Sequence, residues 1–436
     1  MSPRPPAGGG ECASLPPVTI VLDPGVAAWL LRRELRRVAE ALGTPPLGPA
    51  VPIAGPVRLR EDAGLAAVRH ALSQVVPRVP YLSYEIDGFG ARPRGAGGTV
   101  GIRVRPSPLL ASASRAIGAA LEALAVPGDP PDEEVLIPAA RLPDSRQYRS
   151  ARRILGIAGL PWYRRLVTLF SPEEPGGTVP APGRLLDALR LLILVGDRPV
   201  AGFDLVSRRW IARPLLADRG LRAASLRAYR HARGLELDSH PPGDRTPGET
   251  WFLADLHLGH PGIALHCARP FLAADVAEMD RVLVENWRRT VGPNDRAYLV
   301  GDLCAPPDPS SFLAAAGRLT GRLAIVRGNH DPDLPGLARS IAFTAGGHRF
   351  LAVHDPTDAP PGFDGWVIHG HLHDSDLRRH PFFDPVARRV NVSAETAGYR
   401  PVPLSLVERL IREGADPVPL RAGMDQGYGG TPGRKG

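Results

Sequence analysis

Trp251-Phe252-Leu253-Ala254-Asp255-Leu256-His257 is a short apolar run followed at once by a carboxylate and an imidazole. Short apolar runs that end in polar or turn residues suit buried strands. The same figure recurs four times downstream. Ala297 to Val300 runs into Gly301-Asp302, and Leu323 to Val326 into Arg327-Gly328-Asn329-His330-Asp331. Phe350 to Val353 runs into His354, and Trp366 to Ile368 into His369-Gly370-His371-Leu372-His373. Helical stretches, Ala273 to Thr290 and Pro309 to Leu319, lie between these runs. The pattern is that of an α/β domain. Strand C-termini in such a sheet share one edge, where ligands bind, so five strand ends are expected to bring their polar groups to one rim. The glycines before Asp302, Asn329 and His371 are expected to turn the chain tightly enough to aim those side chains inward.

Asp, His and Asn without Cys form a borderline-hard donor set. It suits Mn²⁺, Fe²⁺, Zn²⁺ or Ni²⁺ better than a structural zinc site. There are too many donors for one ion. A carboxylate shared by two ions about 3.5–4 Å apart is the usual solution, and it makes a phosphoryl-transfer site.

The order D-x-H, G-D, G-N-H-D, H, G-H-x-H over residues 249–413 resembles the calcineurin-like metallophosphoesterases. The resemblance implies a β-sandwich flanked by helices. It also implies hydrolysis of a phosphomonoester or phosphodiester, on a nucleotide or RNA end, by water activated between two divalent ions, Mn²⁺ foremost. Asp255, His257, Asp302 and His373 would hold one ion. Asp302, Asn329, His354 and His371 would hold the other, with Asp302 bridging. His330 would be the catalytic histidine at the phosphate or leaving-group oxygen, and Asp331 the carboxylate that orients it. The stretches Asp255 to His260 and Ala268-Arg269-Pro270-Phe271 are similar to a branch of small prokaryotic and phage-type members, which adds His260 and Arg269 as substrate contacts. After Gly301-Asp302 stands Leu303, so that position supplies no asparagine. His348, His369 and His380 receive no role, and Cys267 and Cys304 read as buried small hydrophobes.

The chain of 436 residues is long enough for two or three domains. Five parts are expected: a disordered leader (1–17), a first α/β unit (18–158), a connector with a β-hairpin and a helix (159–248), the metal-binding domain (249–413) and a flexible tail (414–436). In the first unit the pattern predicts strands Val18 to Leu22, Tyr81 to Phe89 and Thr99 to Val104. Helices are predicted over Pro24 to Leu42, Ala63 to Val76 and Pro108 to Leu124. This order resembles the two-histidine phosphoesterases, the 2′-5′ RNA ligase-like group, and implies an N-terminal α+β domain. Their two H-x-T/S motifs would fall at Gly55 to Leu59 and Leu136 to Arg141, and neither stretch contains histidine. Such a domain would bind and not catalyse, with Arg58 and Arg141 offering fixed charge to phosphate. A fragment of residues 249–413 is then expected to work alone.

Charge supports the same division. Of 53 basic residues only Lys435 is lysine, and the net charge is +8. The excess lies before residue 249, so RNA or nucleotide binding is assigned to the N-terminal half. The alternative reading is an RNA-binding protein with an accessory metal domain. No run of about 20 apolar residues occurs, so no membrane span is expected. Three scattered cysteines fit a reducing cytoplasm.

Overall fold

The structure, a computed structural model, describes residues 16–127, 135–155, 183–237, 248–305 and 308–421. Most of the expected leader, the linker over 239–247, the start of the connector and the tail beyond 421 lie outside the described residues.

The N-terminal half contains β1 (Val18–Asp23), α1 (Ala28–Ala41), β2 (Val51–Val57), α2 (Leu65–Val75), β3 (Leu82–Arg94), β4 (Gly97–Pro106), α3 (Pro108–Glu122), β5 (Val135–Leu142) and α4 (Ser145–Ile154). Then follow β6 (Leu185–Ala188), β7 (Arg190–Val195), β8 (Arg198–Asp204), β9 (Arg209–Ala212) and α5 (Arg219–Ala232). Two antiparallel sheets result, in the orders β2-β1-β7-β8-β9 and β5-β4-β3-β6. Alternate strand residues point to one face, and those faces share a core. Ile20, Leu22, Leu191 and Ile193 from one sheet join Tyr84, Ile86, Ile102 and Ile137 from the other.

The connector reading needs correction. The hairpin β7–β8 forms as expected, but β7 pairs with β1 along its whole length, and β6 pairs with β3. These strands complete the sheets of the first unit. Helix α5 lies against both halves: Ser225 donates to Asp204 and Tyr229 to Asp187 of the first, while Tyr229 and, just after the helix, Leu235 belong to the core of the second. The buried Arg230 guanidinium donates to Glu236, Glu278 (2.7 Å) and the Pro270 carbonyl.

The C-terminal half contains β10 (Thr250–Leu253), α6 (Pro261–His266), α7 (Val276–Thr290), β11 (Arg296–Val300), α8 (Pro309–Ala316) and β12 (Arg322–Val326). It continues with β13 (Ser340–Ala345), β14 (His348–Val353), β15 (Trp366–His369), β16 (Phe383–Asp384), β17 (Arg389–Asn391), β18 (Val402–Pro403) and α9 (Leu404–Glu413). Its five expected strands divide between two sheets: β12-β11-β10-β18 and β13-β14-β15-β17-β16. Phe252 and Tyr298 of the first sheet stack against Phe343 of the second, which stacks in turn on Phe350. Helix α7 covers the sandwich. Asp275 caps it by accepting from Glu278 N, and Met279, Val282, Leu283 and Trp287 form its buried stripe at helical spacing. Burying an aromatic side chain such as Trp287 contributes about 1.5–3 kcal/mol. No helix of the described residues is long and apolar enough to cross a membrane.

Candidate metal centre

Backbone bonds knit the strand ends of both sheets together. Asp255 N donates to Gly301 O, His257 N to Asp302 O, Ala254 N to Val392 O, and Gly370 N to His354 O. Five of the seven expected ligands then adopt a left-handed backbone: Asp255 (φ 57°), His257 (49°), Asp302 (56°), His371 (68°) and His373 (48°). Each such residue costs on the order of 1–3 kcal/mol and persists only where its surroundings over-determine it. Of the three glycines before ligands, only Gly301 has positive φ (90°). Gly328 serves by close approach instead, since a Cβ there would overlap Asp302 Oδ1.

The side chains converge as two groups that share Asp255. Asp255, His257 and His373 bring ligand atoms to within 4.8 Å of one another, and so do Asp255, Asp302 and His354. Asp302 Oδ2 lies 3.5 Å from His257 Nε2 and 3.4 Å from His354 Nε2, between the two groups. Asn329 Oδ1 stands 2.9 Å from His354 Nε2 and 3.0 Å from His371 Nδ1. All seven expected ligands are therefore brought together.

Their electrostatics fit cations. His257 is 2% exposed, and neither of its ring nitrogens has a hydrogen-bond partner. Burial, followed by the charge of His373, pushes its pKa well below the ordinary value, so the ring is neutral with a lone pair to offer. Burial raises the Asp302 pKa, but the His354 hydrogen bond, the His354 charge and the His330 N–H outweigh it, and the carboxylate stays ionised. Burial lowers the His354 pKa, but Asp302 and Asp255 raise it to about 9. His354 Nδ1 donates to Val300 O (2.9 Å), which leaves Nε2 directed at Asp302 and Asn329. A proton on Nε2 and a divalent cation satisfy those oxygens alike.

Two expected roles change. Asp331 does not orient His330. Its buried carboxylate accepts from Asp302 N, Leu303 N and Gly328 N at 2.8–2.9 Å, and so ties two ligand loops together. Arg269 is not a substrate contact, because it is fully buried. It donates to Glu395 (2.7 Å) and to the Asp255 and Leu256 carbonyls beneath the first loop. Glu395 itself escaped the sequence reading. It accepts from His373 Nδ1 (2.9 Å), which fixes the tautomer and leaves His373 Nε2 for a cation. Asn391 adds a bond from Nδ2 to the His373 carbonyl. Arg389-Val390-Asn391 is a short strand but not an apolar run, so the figure used for the other five passes over both residues.

His330 is exposed and linked to the centre through its backbone N–H, which donates to Asp302 Oδ1. Its ring packs 5.4 Å from that of His257. His260 lies 5.7 Å from His257 on the same side. Its pKa is lowered by burial first and then by the charge of His330. His369 is a core histidine, buried on β15 and bonded to Gly370 O, and burial lowers its pKa to about 4. Cys304 is buried without a role. Cys267 is also buried and groups with His373 and Glu395, but that carboxylate is already held by Arg269 and His373.

Residues 249–417 match the family described as Calcineurin-like phosphoesterase. An uncharacterized protein of Methanocaldococcus jannaschii is 35% identical over 166 residues, which are 38% of this chain and 92% of that protein. The Gene 66 protein of Mycobacterium phage L5 is 34% identical over 113 residues, 25% of this chain and 52% of that protein. A protein of unknown function from Aquifex aeolicus has a solved structure that is 20% identical and covers 37% of this chain and 99% of its own, with a TM-score of 0.29. The expected likeness of residues 18–158 to two-histidine phosphoesterases gains no support from these matches. The family binds divalent metals and hydrolyses phosphoesters, and the Asp, His and Asn side chains gathered here suit both. Through its C-terminal half, this chain belongs to the calcineurin-like phosphoesterases.

Proposed function

We propose that the chain hydrolyses a phosphomonoester or phosphodiester at a centre for two divalent cations, Mn²⁺ by preference, with Fe²⁺, Zn²⁺ or Ni²⁺ as alternatives. One observation carries this reading: a buried His257 whose two ring nitrogens lack a hydrogen-bond partner, facing Asp255, Asp302 and His373. Asp255, His257, Asp302 and His373 would hold one cation, and Asp302, Asn329, His354 and His371 the other. The place of Asp302 Oδ2 between His257 and His354 supports its bridging role. Cations bound there supply Lewis acidity toward a phosphoryl oxygen and acidify water.

The remaining chemistry falls to the chain. His330, at the mouth, delivers a proton to the leaving oxygen. His260, beside it, meets the substrate. Arg269 and Asp331 act from below, on the loops. A nucleotide or an RNA end is the substrate class to try first. RNA binding as the main function is not favoured: Arg141, expected to offer free charge, pairs with Asp197 at 3.4 Å. The buried unpaired thiols Cys267 and Cys304 support a cytoplasmic location.

The test uses the full chain with a nitrophenyl phosphodiester and the matching monoester. Activity should need Mn²⁺ or another of these cations, vanish with chelator and return on refilling. Hydrolysis that persists after complete chelation would sink the proposal.

A further inference from the structure

The N-terminal half reaches the metal centre from behind. Gly183 and Arg184 extend the edge of β6 along β3: Gly183 N donates to Ile86 O, and Ile86 N donates to Arg184 O. From that anchored backbone the Arg184 guanidinium crosses to the C-terminal half and donates to Asp374 Oδ1 at 2.8 Å. Both side chains are largely buried, 7% and 13% exposed. Asp374 directly follows His373. Two turns of contact extend this grip. Gly183 lies against Arg378 and Asp376, and Arg378 donates to Glu85 and Asp87 of β3, both at 2.6 Å. The loop after His371 and His373 is thus held by the edge of the other half's sheet.

The charges explain why this grip matters. Asp374 and Glu395 are two buried carboxylates next to His373. Arg269 compensates Glu395 from within the C-terminal half. Among the described residues, Arg184 is the arginine that pairs with Asp374. Burial alone would lower the Arg184 pKa, but Asp374, Cys267 and Glu395 raise it, so it stays charged. Removing one partner of a buried pair leaves an uncompensated charge. Without Arg184 the Asp374 loop also loses its tie to β3, and that loop carries His373 in a strained left-handed backbone.

We propose that Arg184 is a positioning residue of the metal centre, through which the N-terminal half holds the Asp374 loop and aims His371 and His373. This rests on the phosphoesterase reading above. It runs against the expectation that residues 249–413 suffice, because the support of His373 would be incomplete without a residue from the other half.

The experiment titrates Mn²⁺ alone into the full chain, into Arg184→Met, into Asp374→Asn and into the double variant. Each single variant should bind Mn²⁺ about 10–100-fold more weakly, the usual loss when a ligand's support is removed. The double variant should be no weaker than either single one, because both changes break the same link. With the nitrophenyl phosphodiester at saturating Mn²⁺, kcat should fall while KM stays unchanged, since buried Arg184 cannot touch substrate. Should Arg184→Met fail to fold, Asp374→Asn carries the same expectation from the other side. Unchanged Mn²⁺ affinity in folded variants, or losses that multiply in the double variant, would overturn the proposal. A wild-type chain that binds no divalent cation and shows no chelator-sensitive hydrolysis would instead overturn the phosphoesterase reading itself.

Discussion

Where the N-terminal half needs a left-handed backbone it uses glycine: Gly25, Gly43, Gly88, Gly95 and Gly196 all have positive φ. Arg208 is its one non-glycine example among the described residues. The C-terminal half uses glycine too, Gly259 and Gly301 among others, but it also puts Asp255, His257, Asp302, His371 and His373 in that conformation. Both halves are sheets and helices around apolar cores, so the contrast does not come from fold class. Glycine relaxes a turn whose only task is to turn. A carboxylate or an imidazole in the same conformation is strained, and it stays because neighbouring loops bond its backbone while its side chain points at a shared centre. The strained half should therefore be fragile in function, and the relaxed half only in stability.

The largest effect should come from Asp302→Ala. Asp302 Oδ2 stands between the two histidine groups, so losing it should empty both cation positions and abolish activity. The fall in affinity should exceed the roughly 100-fold upper range seen when only a ligand's support is lost. Metal analysis that still finds two ions in Asp302→Ala would remove Asp302 from the bridge. His330→Ala comes next. The hydrogen bond from His330 to the centre comes from its backbone N–H, so metal content should stay normal while kcat falls on the order of 10²–10⁴. Loss of metal in this variant would make His330 a ligand and shift the assignment within Gly328-Asn329-His330-Asp331.

Glu395→Gln should fall below these. The amide can still accept from His373 Nδ1–H, but it brings no charge to Arg269 or to His373. Mn²⁺ affinity should drop about 10–100-fold, with His330-dependent chemistry intact on the ions that remain. Asp204 is the matched test in the other half. It is a buried carboxylate held by Arg190 and Ser225. Asp204→Asn should lower the melting temperature and leave Mn²⁺ affinity alone. Equal metal loss in both variants would erase the contrast between the halves.

This comparison also explains what the sequence could tell. The seven expected ligands were legible as a group because each lies within a few residues after a short apolar run, a local signal. Their supports were not. Arg269 and Glu395 are 126 positions apart, and Arg184 and Asp374 are 190 apart. A buried ion pair of that span leaves no mark in either neighbourhood. The strand β2 was missed for another reason. Its sequence Val-Pro-Ile-Ala-Gly-Pro-Val reads as turn punctuation. It is nonetheless an edge strand, where the N–H that proline lacks need not be paired. β5, with Pro138, is also an edge strand. The connector failed because β7 and β1 pair across more than 160 residues, and strand periodicity says nothing about partners.

The smallest effect should come from Gly95→Ala, in the turn between β3 and β4. Gly95 has φ 56°, and an added Cβ would meet nothing within 4 Å. The substitution therefore tests backbone strain without a clash. A left-handed conformation costs a non-glycine residue roughly 1–2 kcal/mol. Replacing glycine also stiffens the unfolded chain, which returns about 0.4–1 kcal/mol. The net loss should be about 1 kcal/mol, a shift in melting temperature of about 2–4 °C for a domain of this size. Neither kcat nor Mn²⁺ affinity should move, because Arg184 is anchored at Ile86, on the far side of the β3 irregularity between Ile86 and Phe89. A loss of Mn²⁺ affinity in Gly95→Ala would mean that strain in the β3–β4 turn travels along β3 to Arg184. The relaxed half would then be mechanically continuous with the strained one.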